Sequence, residues 1–145
     1  MKTFTFYLAA MIIGINLFAN PVDSTVAKTV AKNYYTEVTH TKAGKMTLAY
    51  IETAGDDAIY YVFNNNDDGF VVVSADDAAL PVLCYSLTGH YVKDDQPGQF
   101  VYWMDMYKRQ FVSIKEKNLK ATPEIKGYWQ QYRSNNQKKE YSQVL

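Results

Sequence analysis

The chain has 145 residues, of which 15 are Lys or Arg and 15 are Asp or Glu, so its formal net charge is zero. Nucleic acids and anionic membrane surfaces are bound through an excess of basic residues, and this balance argues against both as partners. Cys84 is the single cysteine, which excludes a disulfide bond within the monomer.

The first 19 residues have the pattern of a secretory signal peptide. Lys2 provides the positive end, an almost uncharged apolar run extends from Phe4 to Phe18, and Ala19 precedes a cleavage point at Ala19–Asn20. The run has about 15 residues, fewer than the roughly 20 that a membrane-spanning helix requires. We therefore predict cleavage rather than an uncleaved anchor, no membrane insertion after cleavage, and a periplasmic or secreted mature protein.

A helix is expected at the start of the mature chain. Asp23 or Ser24 can cap its N-terminus, and apolar residues then recur at the i, i+4 and i+8 spacing of one helical face. These residues are Val26, Ala27, Val30, Ala31 and Tyr34. The pattern ends near Tyr35, because the β-branched and polar run Thr36–Thr41 follows.

Strand patterns occupy the middle of the chain. Apolar and other residues alternate with a period of two from Met46 to Ile51, and two apolar runs of strand length follow, Ile59 to Phe63 and Phe70 to Val73. The polar link 64–69 is rich in Asn, Asp and Gly, so these two runs should form an antiparallel hairpin. A fourth strand is expected from Val82 to Leu87.

A long second helix has the clearest helical pattern. Pro97 suits its first turn, with Asp95 or Gln96 before it as the cap. Apolar residues then recur at three- and four-residue spacing, and we predict that all of them, Trp103 included, pack on the sheet. They are Phe100, Trp103, Met104, Tyr107, Phe111 and Ile114. Together these elements predict an α+β fold with an antiparallel sheet of about four strands packed against the N-terminal helix and this long helix.

The last part of the chain is expected to form a tail, residues 122–145, after a main domain of residues 20–121. Thr122-Pro123-Glu124 starts a short helical segment that carries four apolar or aromatic residues: Ile125, Tyr128, Trp129 and Tyr132. The sequence after Arg133 is polar, so Asn135–Leu145 should be poorly ordered.

The residues suggest neither an enzyme nor a metal protein. Cys84 lies in an apolar strand, where cysteine acts as a small hydrophobic residue rather than as an activated thiolate. Asn64, Asn66, Asp68 and Gly69 match the first positions of an EF-hand calcium loop, but the twelfth position, which needs Glu, is Ala75. We therefore predict no catalytic residues, no metal and no cofactor.

The segment Tyr60–Gly89 carries a family resemblance. Its hairpin runs from Asn64 to Gly69-Phe70 and is followed by Val71-Val73-Ser74-Ala75-Asp76, then by Pro81-Val82-Leu83 with Tyr85-Ser86 and Gly89. In this order and spacing the segment resembles the propeptide of the streptopain-type (C10) cysteine proteases and the related stand-alone, Spi-like inhibitors. The resemblance extends over about Val22 to Ile114. It departs from the pattern at Asp68, where Gly is usual, and at Cys84, where a small residue is usual.

This resemblance implies a function. In such zymogens the propeptide is an α+β domain that covers the substrate cleft, and the loop before its last long helix displaces the loop that carries the catalytic His. The corresponding loop here is Lys93, Asp94, Asp95, Gln96, Pro97, Gly98 and Gln99, and Gln99 aligns with the propeptide Asn that faces that region. The loop is therefore the candidate protease-binding segment, although a capping loop without a partner is the alternative.

We accordingly expect an exported inhibitor that acts in trans on a streptopain-like cysteine protease by non-covalent occlusion of its cleft, because the chain ends at Leu145, where a precursor would start its catalytic domain. Its 13 Tyr favour protein contacts, as Tyr is amphipathic and loses little rotamer entropy on ordering. A non-catalytic module for binding or assembly in the cell envelope, or a remnant of a protease gene, are the alternatives.

Overall fold

The computed structural model describes residues 21–66, 68–94 and 96–134. The predicted signal peptide, Asp95 and the segment expected to be poorly ordered lie outside the described residues. The described part contains three helices and four strands, which confirms the predicted α+β class. In chain order they are α1 Ser24–Thr39, β1 Met46–Ala54, β2 Asp57–Asn65, β3 Phe70–Ser74, β4 Val82–Ser86, α2 Gly98–Glu116 and α3 Pro123–Arg133.

The four strands form one antiparallel sheet in which each strand pairs with its neighbour in sequence. The predicted hairpin joins β2 to β3, with Phe63 opposite Val71. Its turn requires Gly69, which has φ +84°, and a Cβ there would lie 2.4 Å from the carbonyl oxygen of Ser86. Asp68 is compatible with this turn, because its side chain accepts a hydrogen bond of 2.9 Å from the Gly69 N–H.

Helices cover both faces of the sheet. Tyr61 and Phe63 of β2 belong to a core shared with α1 and α3. Val62 of β2 and Val72 of β3 belong to a second core shared with α2. Burial on both faces explains why the middle strands are continuous apolar runs rather than alternating patterns.

Helix α1 begins as predicted and ends later than predicted. The Asp23 carboxylate accepts hydrogen bonds from the N–H groups of Thr25 (2.7 Å) and Val26 (3.0 Å), which caps the first turn. The helix continues to Thr39, so the predicted end near Tyr35 is wrong. The Thr39 hydroxyl donates to the Tyr35 carbonyl at 2.7 Å, and such back-bonding accommodates a β-branched residue in the last turn.

Helix α3 closes the core on the side of α1. Thr122 caps it by accepting a hydrogen bond of 3.3 Å from the Ile125 N–H, and Trp129 is 2% exposed. The indole N–H of Trp129 donates to the Ala79 carbonyl at 2.8 Å, and the Tyr132 carbonyl accepts from the Asn33 amide at 2.7 Å. The short helix expected from Thr122 thus shares a core with α1, while the division between residues 121 and 122 remains a prediction.

Helix α2 differs from its predicted form at both its start and its face. Pro97 is the N-cap and not part of the first turn, and it provides no side-chain hydrogen bond. Gln96 is not the cap either, because its amide donates to the Val92 carbonyl. Met104 and Phe111 are buried on the sheet as predicted, but Trp103 is 56% exposed, so its assignment to the core is wrong.

The position of Trp103 around the helix explains this difference. Successive residues are rotated by about 100° around a helix axis, so Trp103 lies to one side of Met104. The sheet supports the side that carries Met104 and Phe111, and the flank that carries Trp103 is left in solvent.

Candidate protease-binding site

The predicted loop lies on the surface between the second core and the start of α2. Lys93 and Asp94 are exposed, Gln96 is half-buried, and Pro97, Gly98 and Gln99 are exposed. Asp95 lies outside the described residues. Gly98 and Gln99 are already in the first turn of α2, so the described part of the loop runs from an irregular segment into a helix.

The beginning of the loop is fixed to the sheet through Tyr91. The Asn64 side chain accepts a hydrogen bond from the Tyr91 N–H at 2.8 Å and donates one to its carbonyl at 3.1 Å. The Tyr91 ring packs against Tyr50, Phe70 and Phe100, with ring centroids 5.8, 5.8 and 5.9 Å apart. These contacts fix the start of the loop, and Phe100 fixes its end.

A cleft of about 440 Å³ opens between the loop, β1 and the first half of α2. Aromatic rings of Tyr50, Tyr60 and Tyr91 line it, while Lys93 and Asp94 of the loop contribute charged groups. The Lys93 ammonium lies 5.1 Å from the centre of the Tyr50 ring, within the range of a cation–π interaction. The cleft therefore combines an aromatic lining with side chains of the predicted binding segment.

An ion pair closes one side of the cleft and ties α2 to β1. Glu52 accepts a hydrogen bond of 2.6 Å from the Tyr50 hydroxyl and pairs with Lys108. Burial opposes ionisation of Glu52, but the hydrogen bonds from Lys108 and Tyr50 outweigh it and hold the pKa of the carboxyl below its usual value. The hydrogen bond to Glu52, together with burial, raises the pKa of Tyr50 to about 12. At neutral pH Glu52 is therefore a carboxylate and Tyr50 is a neutral donor.

Comparison with known proteins places this fold in a family. A family model described as Spi protease inhibitor matches residues 19–111. The chain belongs to the Spi protease inhibitor family. The predicted resemblance to streptopain-type propeptides and Spi-like inhibitors is thereby confirmed.

A curated protein is also similar to this chain. The thiol protease/hemagglutinin PrtT of Porphyromonas gingivalis is 27% identical over 123 residues, which cover 80% of this chain and 14% of PrtT. No solved structure matches the chain. The Spi family match includes the whole loop 93–99 and ends at Phe111, so α3 lies beyond it.

The sequence analysis did not single out the cleft residues that lie outside the loop, among them Tyr50, Glu52 and Lys108. A signal for one of them was present, since Glu52 follows Tyr50 by two residues in β1 and so lies on the same face of the strand, and a carboxylate on a covered face requires a partner. Lys108 is that partner, but it lies in a distant helix and sequence spacing does not pair the two.

Cys84 has the environment of a packing residue in this Spi-family fold. It is half-buried, its sulfur lies 3.9 Å from that of Met104, and burial raises the pKa of its thiol to about 11. Such a thiol is protonated at neutral pH and is a poor nucleophile.

Within residues 21–66, 68–94 and 96–134, no group of three or more His, Cys, Asp and Glu side chains is placed to hold a metal ion. None of the helices in the described part of the chain is long and apolar enough to cross a membrane.

Proposed function

We propose that this protein inhibits a streptopain-like (C10) cysteine protease by non-covalent occlusion of the substrate cleft, with loop 93–99 as the segment that enters it. The observation that carries the proposal is an exposed loop, within the Spi family match, that is held between Tyr91 and Phe100. A segment held in its bound shape loses little conformational entropy on binding, so it binds more tightly than a free peptide of the same sequence.

The same features support resistance to cleavage. Pro97 has φ −54°, a value that its ring enforces, and the residues after it are helical. A protease cleaves a segment that it can hold in an extended conformation, and a helical turn anchored by Phe100 on the second core opposes that extension. The loop can therefore fill the substrate cleft of the protease and remain intact.

The protein acts without chemistry of its own in this proposal. The protonated Cys84 thiol is packed against Met104, and the inhibitor family supplies a binding role. The proposal also includes cleavage of the signal peptide at Ala19–Asn20 and a periplasmic or secreted mature protein, where it meets the protease.

A titration tests the proposal. A purified streptopain-like protease is titrated with residues 20–145, and hydrolysis of a small peptide substrate is followed, with the inhibitor examined on a gel afterwards. A stoichiometric loss of activity with the inhibitor uncut is the expected result. Unchanged activity across several such proteases would contradict the proposal and favour a binding module of the envelope.

A further inference from the structure

Two adjacent aromatic side chains stand in solvent on α2, immediately beyond the predicted loop. Tyr102 is 62% exposed and Trp103 is 56% exposed, and their rings contact each other in a T-shaped arrangement with centroids 6.5 Å apart. We call them the aromatic pair. With Val92, at 67%, they are the three most exposed of the large apolar side chains that the structure describes. Val92 directly precedes the loop, so exposed apolar surface lies on both sides of it.

The attachment of α2 to the sheet does not involve the aromatic pair. Met104 and Phe111 are buried on the second core, the Tyr107 hydroxyl donates to the Leu83 carbonyl at 3.0 Å, and Lys108 pairs with Glu52. These contacts use the opposite side of the helix from Tyr102. Folding therefore does not require two exposed aromatic rings here, and their exposure indicates a binding role.

We infer that the aromatic pair is a second contact for the cysteine protease and packs on an apolar surface at the rim of its cleft while loop 93–99 occupies the cleft. This inference rests on the proposed function. Trp103 follows Gln99 by one helical turn, or about 6 Å along the helix axis. A partner that covers the loop therefore reaches the aromatic pair without a change in this fold.

The exposed area of the aromatic pair is a substantial fraction of a protein–protein interface. Aromatic side chains bury roughly 150–250 Å² each when fully covered, and Tyr102 and Trp103 are 62% and 56% exposed, so together they provide up to about a third of the roughly 800 Å² that each partner contributes to a standard interface. The loop provides much of the remainder. Trp and Tyr are also the residue types that most often carry the binding energy of an interface.

Charged side chains border the aromatic pair along the helix. Asp105 and Arg109 form an ion pair at i, i+4 spacing, with the Arg109 Nε 3.0 Å from the Asp105 carboxylate. This arrangement has the composition of an interface, in which an aromatic centre is surrounded by a polar rim. Both side chains are partly or largely exposed, and a charge pair at such a rim adds specificity more than affinity.

Serine substitutions test the inference. Tyr102→Ser and Trp103→Ser should each raise the inhibition constant against a streptopain-like protease by roughly 10- to 100-fold, as expected for central interface aromatics, with an unchanged melting temperature. Tyr128→Ser is the matched control, because Tyr128 is a 39% exposed aromatic of α3, on the opposite side of the sheet from α2. It should inhibit like the unsubstituted protein.

The outcomes separate this inference from the proposed function. If the unsubstituted protein inhibits and both serine variants inhibit equally well, the second contact is refuted and the proposed function stands. If the unsubstituted protein neither binds nor inhibits, both are refuted. An equal rise in the inhibition constant from Tyr128→Ser would also overturn the inference, because the effect would then not depend on which exposed aromatic residue is removed.

A measurement on the unsubstituted protein guards against misfolded variants. The chain has two Trp, so ¹⁹F spectra of protein labelled with 5-fluorotryptophan contain two resonances. The resonance that is missing from the spectrum of a Trp103→Phe variant belongs to Trp103. Saturation with the protease should shift the Trp103 resonance and leave that of the buried Trp129 in place. An unmoved Trp103 resonance in the complex would refute the contact.

Discussion

At the scale of single residues, Gln99 gives the sharpest test of the loop. It is exposed in the first turn of α2, so Gln99→Arg should not alter folding, but it adds a bulky cation to the segment that we propose enters the protease. We expect weaker inhibition, by roughly tenfold or about 1.4 kcal/mol, with an unchanged melting temperature. Gln110→Arg, at another exposed position of α2, is the control. Equal inhibition by both variants would remove the loop from the mechanism.

The ion pair between Glu52 and Lys108, which borders the cleft of this protein, predicts that stability depends on pH. The folded-state pKa of Glu52 is lowered, so its contribution to the free energy of unfolding is complete above the unfolded-state pKa, about 4.3. It is lost as pH falls through the lower folded-state pKa. Glu52→Gln should therefore cost about 1 kcal/mol at pH 7, a modest value because Lys108 is 43% exposed and screened by solvent.

Melting temperatures measured from pH 7 to pH 2.5 check this prediction. The difference between the unsubstituted protein and Glu52→Gln should shrink as pH falls below about 4.3. A difference that stays constant across this range would show that the substitution acts through packing rather than through the charge.

The residues of the proposed site were predictable to different degrees. The loop was located by its resemblance to a propeptide and by its position before α2. Glu52 and Lys108 were not paired, because a contact between a strand and a distant helix depends on how α2 crosses the sheet. Trp103 was misassigned because residues that flank a helical stripe have the same three- and four-residue spacing as residues at its centre. How much of that stripe is buried depends on the width of the partner surface.

At the scale of elements, the two tryptophans distinguish a helix that completes the core from a helix that presents a surface. Trp129 of α3 is 2% exposed and donates to the Ala79 carbonyl, so Trp129→Ala should lower the free energy of unfolding by roughly 3–5 kcal/mol. Trp103→Ala of α2 should lower it by less than about 1 kcal/mol, as a surface substitution does. Denaturant unfolding of both variants compares them, and similar losses would contradict the assignment of the two helices.

Element boundaries were predicted less well than element types. The four strands and three helices of the described residues were all anticipated. Apolar periodicity indicated the helices and β1, and continuous apolar runs indicated the middle strands, because the sheet is covered on both faces. The end of α1 was missed, since Thr36 and Thr39 favour strands in general but bond back to the Lys32 and Tyr35 carbonyls here. The start of α2 was missed because Pro97 suits both an N-cap and a first turn.

At the scale of the whole molecule, the proposed binding surface and the main core lie on opposite sides of the sheet. The loop, the cleft and the aromatic pair lie with α2, whereas α1 and α3 pack on the other face. Substitutions on the α2 side can therefore change binding without disturbing the larger core. Conversely, a substitution in α3 should affect the free energy of unfolding more than it affects the proposed binding surface.

The balance of charges predicts how inhibition responds to salt. Without Lys2, residues 20–145 contain 14 basic and 15 acidic residues, a net charge of −1, and the aromatic pair contributes no charge. Raising the NaCl concentration from 50 to 500 mM should change the inhibition constant by less than about threefold, because screening acts on long-range charge attraction. A change of tenfold or more would show that charge pairs, not aromatic contacts, hold the complex.

The packing of α3 on α1 has a consequence for the order in which the protein is assembled during synthesis. The strands pair with their sequence neighbours, so the sheet can form as soon as the ribosome has released β4. The bond between the Asn33 amide and the Tyr132 carbonyl joins residues 99 positions apart. A nascent chain therefore leaves the part of the α1 side of the core that α3 covers exposed until almost its last described residue has been made, which is the interval in which a chaperone would have to shield it.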